Sequence, residues 1–310
     1  MQFLLTLFAA TVMAAETVLS PLADDALAEP IQAPTVTFGQ LTTSFVPAGD
    51  VLGAAIEAEP PAKQDPAPRD TPTPLAKRDL APPETPRPTR KKSFTIALLG
   101  DSMIDTLGPD VPALKSKLSS LYPGVAFQLL NYGVGGTNID YGLERITNSY
   151  SYLGEQKLSL VSQKPDIVVI ESFGYNPYPF DEGALERHWL ALAAVVDTLK
   201  ANLPGVKIVI AVTIAPDAKT FGDGAAGVSF SAEDKWKRVD VIKKYLDNAV
   251  KFARSQGLPL ADAFHTSLGS DGNGKETYIN QGDHIHYSDA GRQLFARVVA
   301  NAIISHKLLE

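Results

Sequence analysis

From about residue 93 onward, short apolar runs alternate with amphipathic stretches, and the two periods predict the fold. Runs at 94–99, 125–130, 166–171, 207–213 and 258–263 are rich in Val, Ile, Leu and Phe and predict β-strands. The third and fourth contain near-continuous apolar stretches, Ile167-Val168-Val169-Ile170 and Ile208-Val209-Ile210-Ala211-Val212, as strands covered on both faces require. Between the strands, Leu185, Trp189, Leu192, Val196 and Leu199 recur at helical spacing, as do Val239, Ile242, Leu246, Val250 and Ala253. Ser231 and Asp234 open the second of these helices at capping-box spacing. A last helix is expected over 288–306, with Leu294, Val298 and Ile303 turned inward. This alternation predicts a doubly wound, three-layer α/β/α sandwich around a mainly parallel sheet of about five strands.

Before residue 93 neither period is sustained. Residues 16–92 are rich in Pro, Ala, Thr and acidic side chains, and prolines such as Pro60-Pro61, Pro72, Pro74 and Pro82-Pro83 break helices and favour extended chain. A linker or stalk is expected there. Its basic end, Arg87, Arg90, Lys91 and Lys92, reads as a solvated linker terminus. Residues 3–15 form a largely apolar run ending in small residues, too short to span a bilayer comfortably, so 1–15 is expected to be a signal peptide or membrane anchor. The first basic side chain is Lys63, which leaves the α-amino group as the sole positive charge of such a signal. The expected organisation is therefore 1–15 signal or anchor, 16–92 linker and 93–310 one folded domain, secreted or attached to the cell envelope through its N-terminal segment.

A formal net charge of -7 leaves no basic field for nucleic acid, which is not an expected partner. The chain has no cysteine, which removes disulfides, thiolate metal sites and a cysteine nucleophile together.

In an open parallel sheet ligands bind outside the carboxyl ends of the strands, and polar clusters fall there. Gly100-Asp101-Ser102 follows the first strand. Alone it is also common turn and N-cap composition, and it lacks the Gly-x-Ser-x-Gly of a nucleophile elbow. Asn131-Tyr132-Gly133-Val134-Gly135-Gly136-Thr137 follows the second strand, where glycines let backbone N–H groups approach an anion. A nucleotide loop is the rival reading, but the spacing is not G-x-G-x-x-G. Gly174-Tyr175-Asn176-Pro177 follows the third strand, and the Asn amide can donate to an oxyanion or make an Asn-Pro turn. Asp283-His284-Ile285-His286 precedes the last helix, with a carboxylate placed to orient an imidazole. A metal site from Asp283, His284 and His286 is its thinner rival. Asp271-Gly272-Asn273-Gly274-Lys275 starts like a calcium loop, yet Lys275 occupies a ligand position, so a plain turn is expected. His188 and His265 are read as satisfied core or surface histidines without a catalytic setting. The glycine-bearing segment 215–230 is long enough to lie over the site as a lid.

Taken in this order, the clusters resemble the GDSL, or SGNH, hydrolase family over about residues 94–307, with its flavodoxin-like fold. The resemblance implies Ser102 as nucleophile, His286 as base, Asp283 as its orienting partner, and an oxyanion hole from Ser102, Gly136 and Asn176. Asp101 is expected to cap the following helix or brace the loop. Met103 stands where many members have Leu, and Pro177 replaces the usual aspartate after the Asn, which bears on loop shape. The implied activity is a serine hydrolase cleaving carboxylic esters, such as O-acetyl groups on an extracellular glycan, without a cofactor or metal. The expected partner is a small ester or acylated glycan substrate. Two alternatives are an O-acyltransferase to a sugar hydroxyl using the same triad and a non-catalytic binding module on a stalk.

Overall fold

Ser93–Gly100 forms strand β1, and its side chains alternate between two cores as the two-residue period of a strand dictates. Ile96 and Leu98 enter one apolar cluster, while Ala97 and Leu99 enter the other, and all four are fully buried. The computed structural model describes residues 91–310, so the expected signal segment and nearly all of the expected linker lie outside the described residues.

After β1 come α1 (Ser102–Asp105), α2 (Pro112–Leu121), β2 (Ala126–Gly133) and α3 (Ile139–Thr147). A short antiparallel hairpin of β3 (Tyr150–Tyr152) and β4 (Glu155–Lys157) intervenes before β5 (Ile167–Glu171). Then α4 (Ala184–Asn202), β6 (Lys207–Val212), α5 (Ala232–Ser255), β7 (Leu260–Asp262), α6 (Ala263–Ser267) and α7 (Asp289–Ser305) complete the order. The main sheet runs β2-β1-β5-β6-β7 and every pairing is parallel, the doubly wound topology predicted from the pattern.

On one face α2 and α7 cover the cluster built on Ile96, Leu98, Ile167, Val169 and Val209, with Met103 and Ile104 of α1 beneath them. On the other, α3, α4 and α5 cover Leu99, Val168, Ile170, Ile208 and Ile210. Each fully buried aliphatic side chain of this kind contributes about 1.5–3 kcal/mol. Side-chain caps start α5 and α7. Ser231 accepts from the Asp234 N–H at 3.1 Å and donates to its carboxylate at 2.8 Å, and Ser288 accepts from the Gly291 N–H at 3.1 Å.

The chain leaves β1 for β2 on one side and later returns to β5 on the other, so the switch point lies between β1 and β5 at their carboxyl ends. Among the described residues no helix is long and apolar enough to cross a membrane.

Candidate active site

Ser102 is placed by the abrupt change from strand to helix. Asp101 takes a non-helical backbone and its Oδ1 accepts the Met103 N–H at 2.8 Å, so α1 starts at Ser102. The other oxygen, Oδ2, accepts the Asn176 side-chain amide at 2.9 Å. Asp101 thus has the bracing role read from the sequence, and it also links the end of β1 to the loop after β5. It is fully buried, which pushes its carboxyl up, against the Met103 N–H, the Asn176 amide and the charges of His286 and Arg145. Glu171, at the end of β5, is buried too. Desolvation and the neighbouring Asp101 drive its carboxyl well above the ordinary range, despite donation from the Ser172 hydroxyl at 2.6 Å and the Phe173 N–H at 2.8 Å. Met103, in place of the more usual Leu, is simply core, with no exposed surface.

The glycine-rich loop after β2 runs against Ser102. The Val134 N–H donates to the Gly100 carbonyl at 3.2 Å, and a Cβ placed on Gly135 would lie 3.8 Å from the Ser102 Cβ. Gly136 adopts φ +71°, a region where side chains are strained, and open space lies beside it. Among the described residues, the N–H groups of Ser102 and Gly136 donate to no protein acceptor. Asn176, in the loop after β5, is half-buried.

Two residues that the sequence did not single out hold this loop. Arg145 of α3 is buried, donating from Nη2 to the Gly100 carbonyl at 2.8 Å and the Tyr132 carbonyl at 3.3 Å, and from Nη1 to the Thr137 hydroxyl at 3.2 Å. It therefore ties together the ends of β1 and β2 and the end of the glycine loop. Burial lowers its pKa, opposed by neighbours that include Tyr150 and Tyr141, and its guanidinium stacks 4.8 Å from the Tyr141 ring centroid. Tyr152, on the hairpin, accepts the Gly135 N–H at 3.1 Å and donates to Asp105 Oδ2 at 2.8 Å. Sequence signals for both were faint: Arg145 looks like any helical basic residue, and the Tyr152-Leu153-Gly154-Glu155 turn lacks the Asn-Gly or Asp-Gly of a readable hairpin.

The turn before α7 holds the second half of the site. Asp283 Oδ1 accepts the N–H groups of Ile285 at 2.9 Å and His286 at 3.0 Å, and Oδ2 lies 2.8 Å from His286 Nδ1. Burial would raise the Asp283 carboxyl, but these donors and the imidazole hold it below the usual carboxylate range. A ring nitrogen against a carboxylate carries a proton, which leaves Nε2 as the nitrogen outside that bond. Nε2 is buried and has no hydrogen-bond partner, Ser102 included. The imidazole nonetheless acts on the buried carboxyl of Asp101, the residue before Ser102. Arg292 of α7 donates from Nε to the Thr106 carbonyl at 3.3 Å, which ties the start of α7 to the end of α1. Bonds between nucleophile and base are often unformed without substrate and tighten when it binds.

The remaining readings divide. His284, the second histidine of the motif, is at φ +52° with Nδ1 2.7 Å from the Asp223 carbonyl, a structural bond and not a ligand position. Among the described residues no three His, Cys, Asp or Glu side chains gather as a metal site. Asp271 is taken by Lys219 Nζ at 3.0 Å and by Asn273, as a plain turn. His188 is a buried core histidine, its Nε2 2.8 Å from the Ser172 carbonyl, and burial lowers its pKa to about 4. His265 is a satisfied surface histidine, its Nδ1 2.8 Å from Asp262 Oδ2 and its N–H donating to Oδ1 at 3.0 Å, a carboxylate partner that the sequence reading did not name. The 215–230 segment is anchored at Phe221 and approaches the turn before α7 at Gly224. Phe221 is buried between Tyr175 and Phe230, and Gly224 approaches the Gly282 carbonyl so closely that a Cβ would lie 2.3 Å from it.

No curated protein matches the chain. Among solved structures it is similar to a lipase/acylhydrolase from Enterococcus faecalis, at 18% identity over 69% of this chain and 96% of that one, TM-score 0.48. A GDSL-like lipase from Bacteroides thetaiotaomicron matches at 14% identity over 69% and 89% of the two chains, TM-score 0.49. A catalytic mutant of the acetylxylan esterase Axe2 from Geobacillus stearothermophilus matches at 17% identity over 68% and 94%, TM-score 0.45. The model of the GDSL-like Lipase/Acylhydrolase family matches residues 98–294, more than half of the chain and a span that holds Ser102, Gly136, Asn176, Asp283 and His286. With that match added to the fold and the strand-end clusters, the chain belongs to the GDSL-like lipase/acylhydrolase family and is a hydrolase of ester bonds.

Proposed function

We propose that this ester hydrolase works through Ser102 as nucleophile, His286 as general base and Asp283 as the carboxylate that orients it. The observation that carries the reading is His286 Nε2: a buried ring nitrogen without a protein partner, on an imidazole whose other nitrogen is committed to a carboxylate. Buried polar atoms are nearly always satisfied, so this unpartnered ring nitrogen, on an imidazole held by a carboxylate, supports a role in chemistry.

In the proposed reaction Ser102 Oγ attacks the ester carbonyl as its proton passes to His286 Nε2. The carbonyl π electrons move to oxygen, and the resulting oxyanion is held by the N–H groups of Ser102 and Gly136 and the Asn176 amide. The tetrahedral species collapses to the acyl-serine as His286 protonates the departing alcohol. Water then repeats the sequence and releases the acid.

For the substrate we propose a small acyl ester, with an O-acetyl group on a glycan as the favoured class. Half-buried tyrosines support this reading, with Tyr152 bonded to the loop beside Ser102 and Tyr178 two residues beyond Asn176. Their hydroxyls are engaged by Asp105 and Asp140, and such polar-tipped aromatic side chains suit a hydroxyl-rich alcohol portion.

The test is a fluorophosphonate label on the wild type and Ser102→Ala, followed by p-nitrophenyl acetate and acetylated glycans as substrates. The label is expected on wild type alone, and hydrolysis by Ser102→Ala is expected to fall to background. A Ser102→Ala protein that still cleaved p-nitrophenyl acetate at the wild-type rate would refute the assignment. Product analysis with and without a glycan acceptor separates hydrolysis from acyl transfer.

A further inference from the structure

The hairpin of β3 and β4 has too few strands to be stable alone, so what it does depends on what it is fastened to. Tyr150 packs on Tyr132 and Tyr141, at ring-centroid distances of 6.3 Å in each case, and lies beside the buried Arg145. Two residues on, Tyr152 reaches the glycine loop. Its hydroxyl bridges three parts of the site region: the Gly135 N–H after β2, the Asp105 carboxylate at the end of α1, and the hairpin itself.

We propose that Tyr152 is a positioning residue of the oxyanion hole, its hydroxyl fixing the Val134–Gly135 peptide and thereby aiming the next N–H, that of Gly136, toward the carbonyl attacked by Ser102. The proposal rests on the esterase reading above.

Three features carry it. The hydroxyl has no choice of roles, because an amide N–H can only donate and a carboxylate accepts; the proton of Tyr152 is directed to Asp105 and its lone pair to Gly135. Burial and the Asp105 carboxylate hold the phenol above its ordinary pKa despite the Gly135 N–H, so that proton stays in place. The bridge ends on the nucleophile's own turn, since α1 runs from Ser102 to Asp105, so one chain of hydrogen bonds locks the glycine loop to the segment carrying Ser102. The packing is close: a Cβ on Gly135 would lie 3.3 Å from Tyr152 Oη, 3.8 Å from Asp105 Oδ2 and 3.8 Å from Ser102 Cβ.

The experiment compares wild type, Tyr152→Phe and Tyr152→Leu in the full chain. The readouts are kcat and KM on p-nitrophenyl acetate, inhibition by phenylboronic acid, which adds to a serine as a tetrahedral anion, and thermal midpoint. Tyr152→Phe removes the hydroxyl alone and is expected to lower kcat by about 10- to 100-fold with KM changed less than about twofold. It should weaken the boronic acid by a similar factor and leave the midpoint near that of wild type. If Tyr152→Phe matches wild type, or if only Tyr152→Leu loses activity, the ring serves packing and the proposal is overturned. Should Tyr152→Phe fail to fold, Asp105→Ala probes the bridge from its other end. A several-fold lower kcat at unchanged KM supports the proposal there, and wild-type kinetics overturn it. A wild type that takes no fluorophosphonate label would sink the esterase reading itself, whereas a labelled, active wild type with an equally active Tyr152→Phe sinks only the role of Tyr152.

Discussion

The described domain contains two Asp-x-x-His turns with nearly the same internal geometry. In each, one carboxylate oxygen accepts the histidine N–H at 3.0 Å and the other lies 2.8 Å from Nδ1. Both lie at the carboxyl-end side of the sheet, Asp262 as the last residue of β7 and Asp283 in the loop before α7. The difference is in what surrounds the free nitrogen. His286 Nε2 is buried without a partner, close enough to Asp101 for its charge to act there, whereas the His265 side chain is 44% exposed. Strand β7 is the far edge of the sheet, three strands from β1, or about 14 Å at the usual strand spacing. A dyad of this kind is therefore common local chemistry, and its position relative to the strand switch point decides what it can do.

Paired substitutions break the comparison most sharply. His286→Ala is expected to lower kcat on p-nitrophenyl acetate by about 10⁴-fold, the cost typical of losing a triad member. His265→Ala should leave kcat within about twofold, since nothing near it supplies a nucleophile. Steady-state rates for the two variants, with labelling by fluorophosphonate, check both. A large kcat loss in His265→Ala, or none in His286→Ala, would overturn the assignment of roles.

Asn176 sharpens the contrast from the other side, because it belongs to the surroundings and not to the dyad. Its amide is anchored on Asp101 Oδ2 at 2.9 Å, leaving its second N–H for an oxyanion. Asn176→Ala should lower kcat by about 10²- to 10³-fold with the Asp283–His286 bond intact, and with a much smaller change in KM. Retention of wild-type kcat would remove Asn176 from the oxyanion hole.

The same contrast explains what the sequence made legible. The five sheet strands announced themselves because buried parallel strands are apolar throughout, and the residues at their ends stand out as polar interruptions: Ser102, Gly136 and Asn176. The contact between Asp283 and His286 was readable from their spacing, and their implied roles came from the ordered set of clusters. That spacing was also present in Asp262 and His265, where the first residue closes a strand and the pair passed unnoticed. Arg145 and Tyr152 were hidden for a different reason. Their contribution is a set of long-range hydrogen bonds, to Gly100 across 45 positions and to Asp105 across 47, which no local period encodes. The hairpin carrying Tyr152 turns at Leu153 and Gly154, both at positive φ, with Leu in a place where Asn or Asp would have signalled the turn.

The smallest expected effect concerns His265 and is read through pH. Donation to Asp262 raises the His265 pKa above its ordinary 6.5, against partial desolvation, with Asp247 adding to the rise and Arg254 opposing it. A histidine whose folded-state pKa is raised binds its proton more tightly in the native state than in the unfolded chain. Its contribution to stability is therefore fully present below 6.5 and is lost as pH rises through the higher folded value. The pair is half exposed and shares Asp262 with Arg254, whose Nη2 is 4.0 Å from Oδ2, so the effect is that of a screened surface ion pair, at most about 1 kcal/mol. Thermal midpoints of wild type and His265→Gln should thus differ by up to about 2–4 °C near pH 5.5 and converge near pH 9. The gap at the lower pH should shrink in high salt, as expected of an exposed pair. A difference that instead grew with pH would mean that His265 is held neutral in the folded domain, and that its bond to Asp262 does not favour the charged ring.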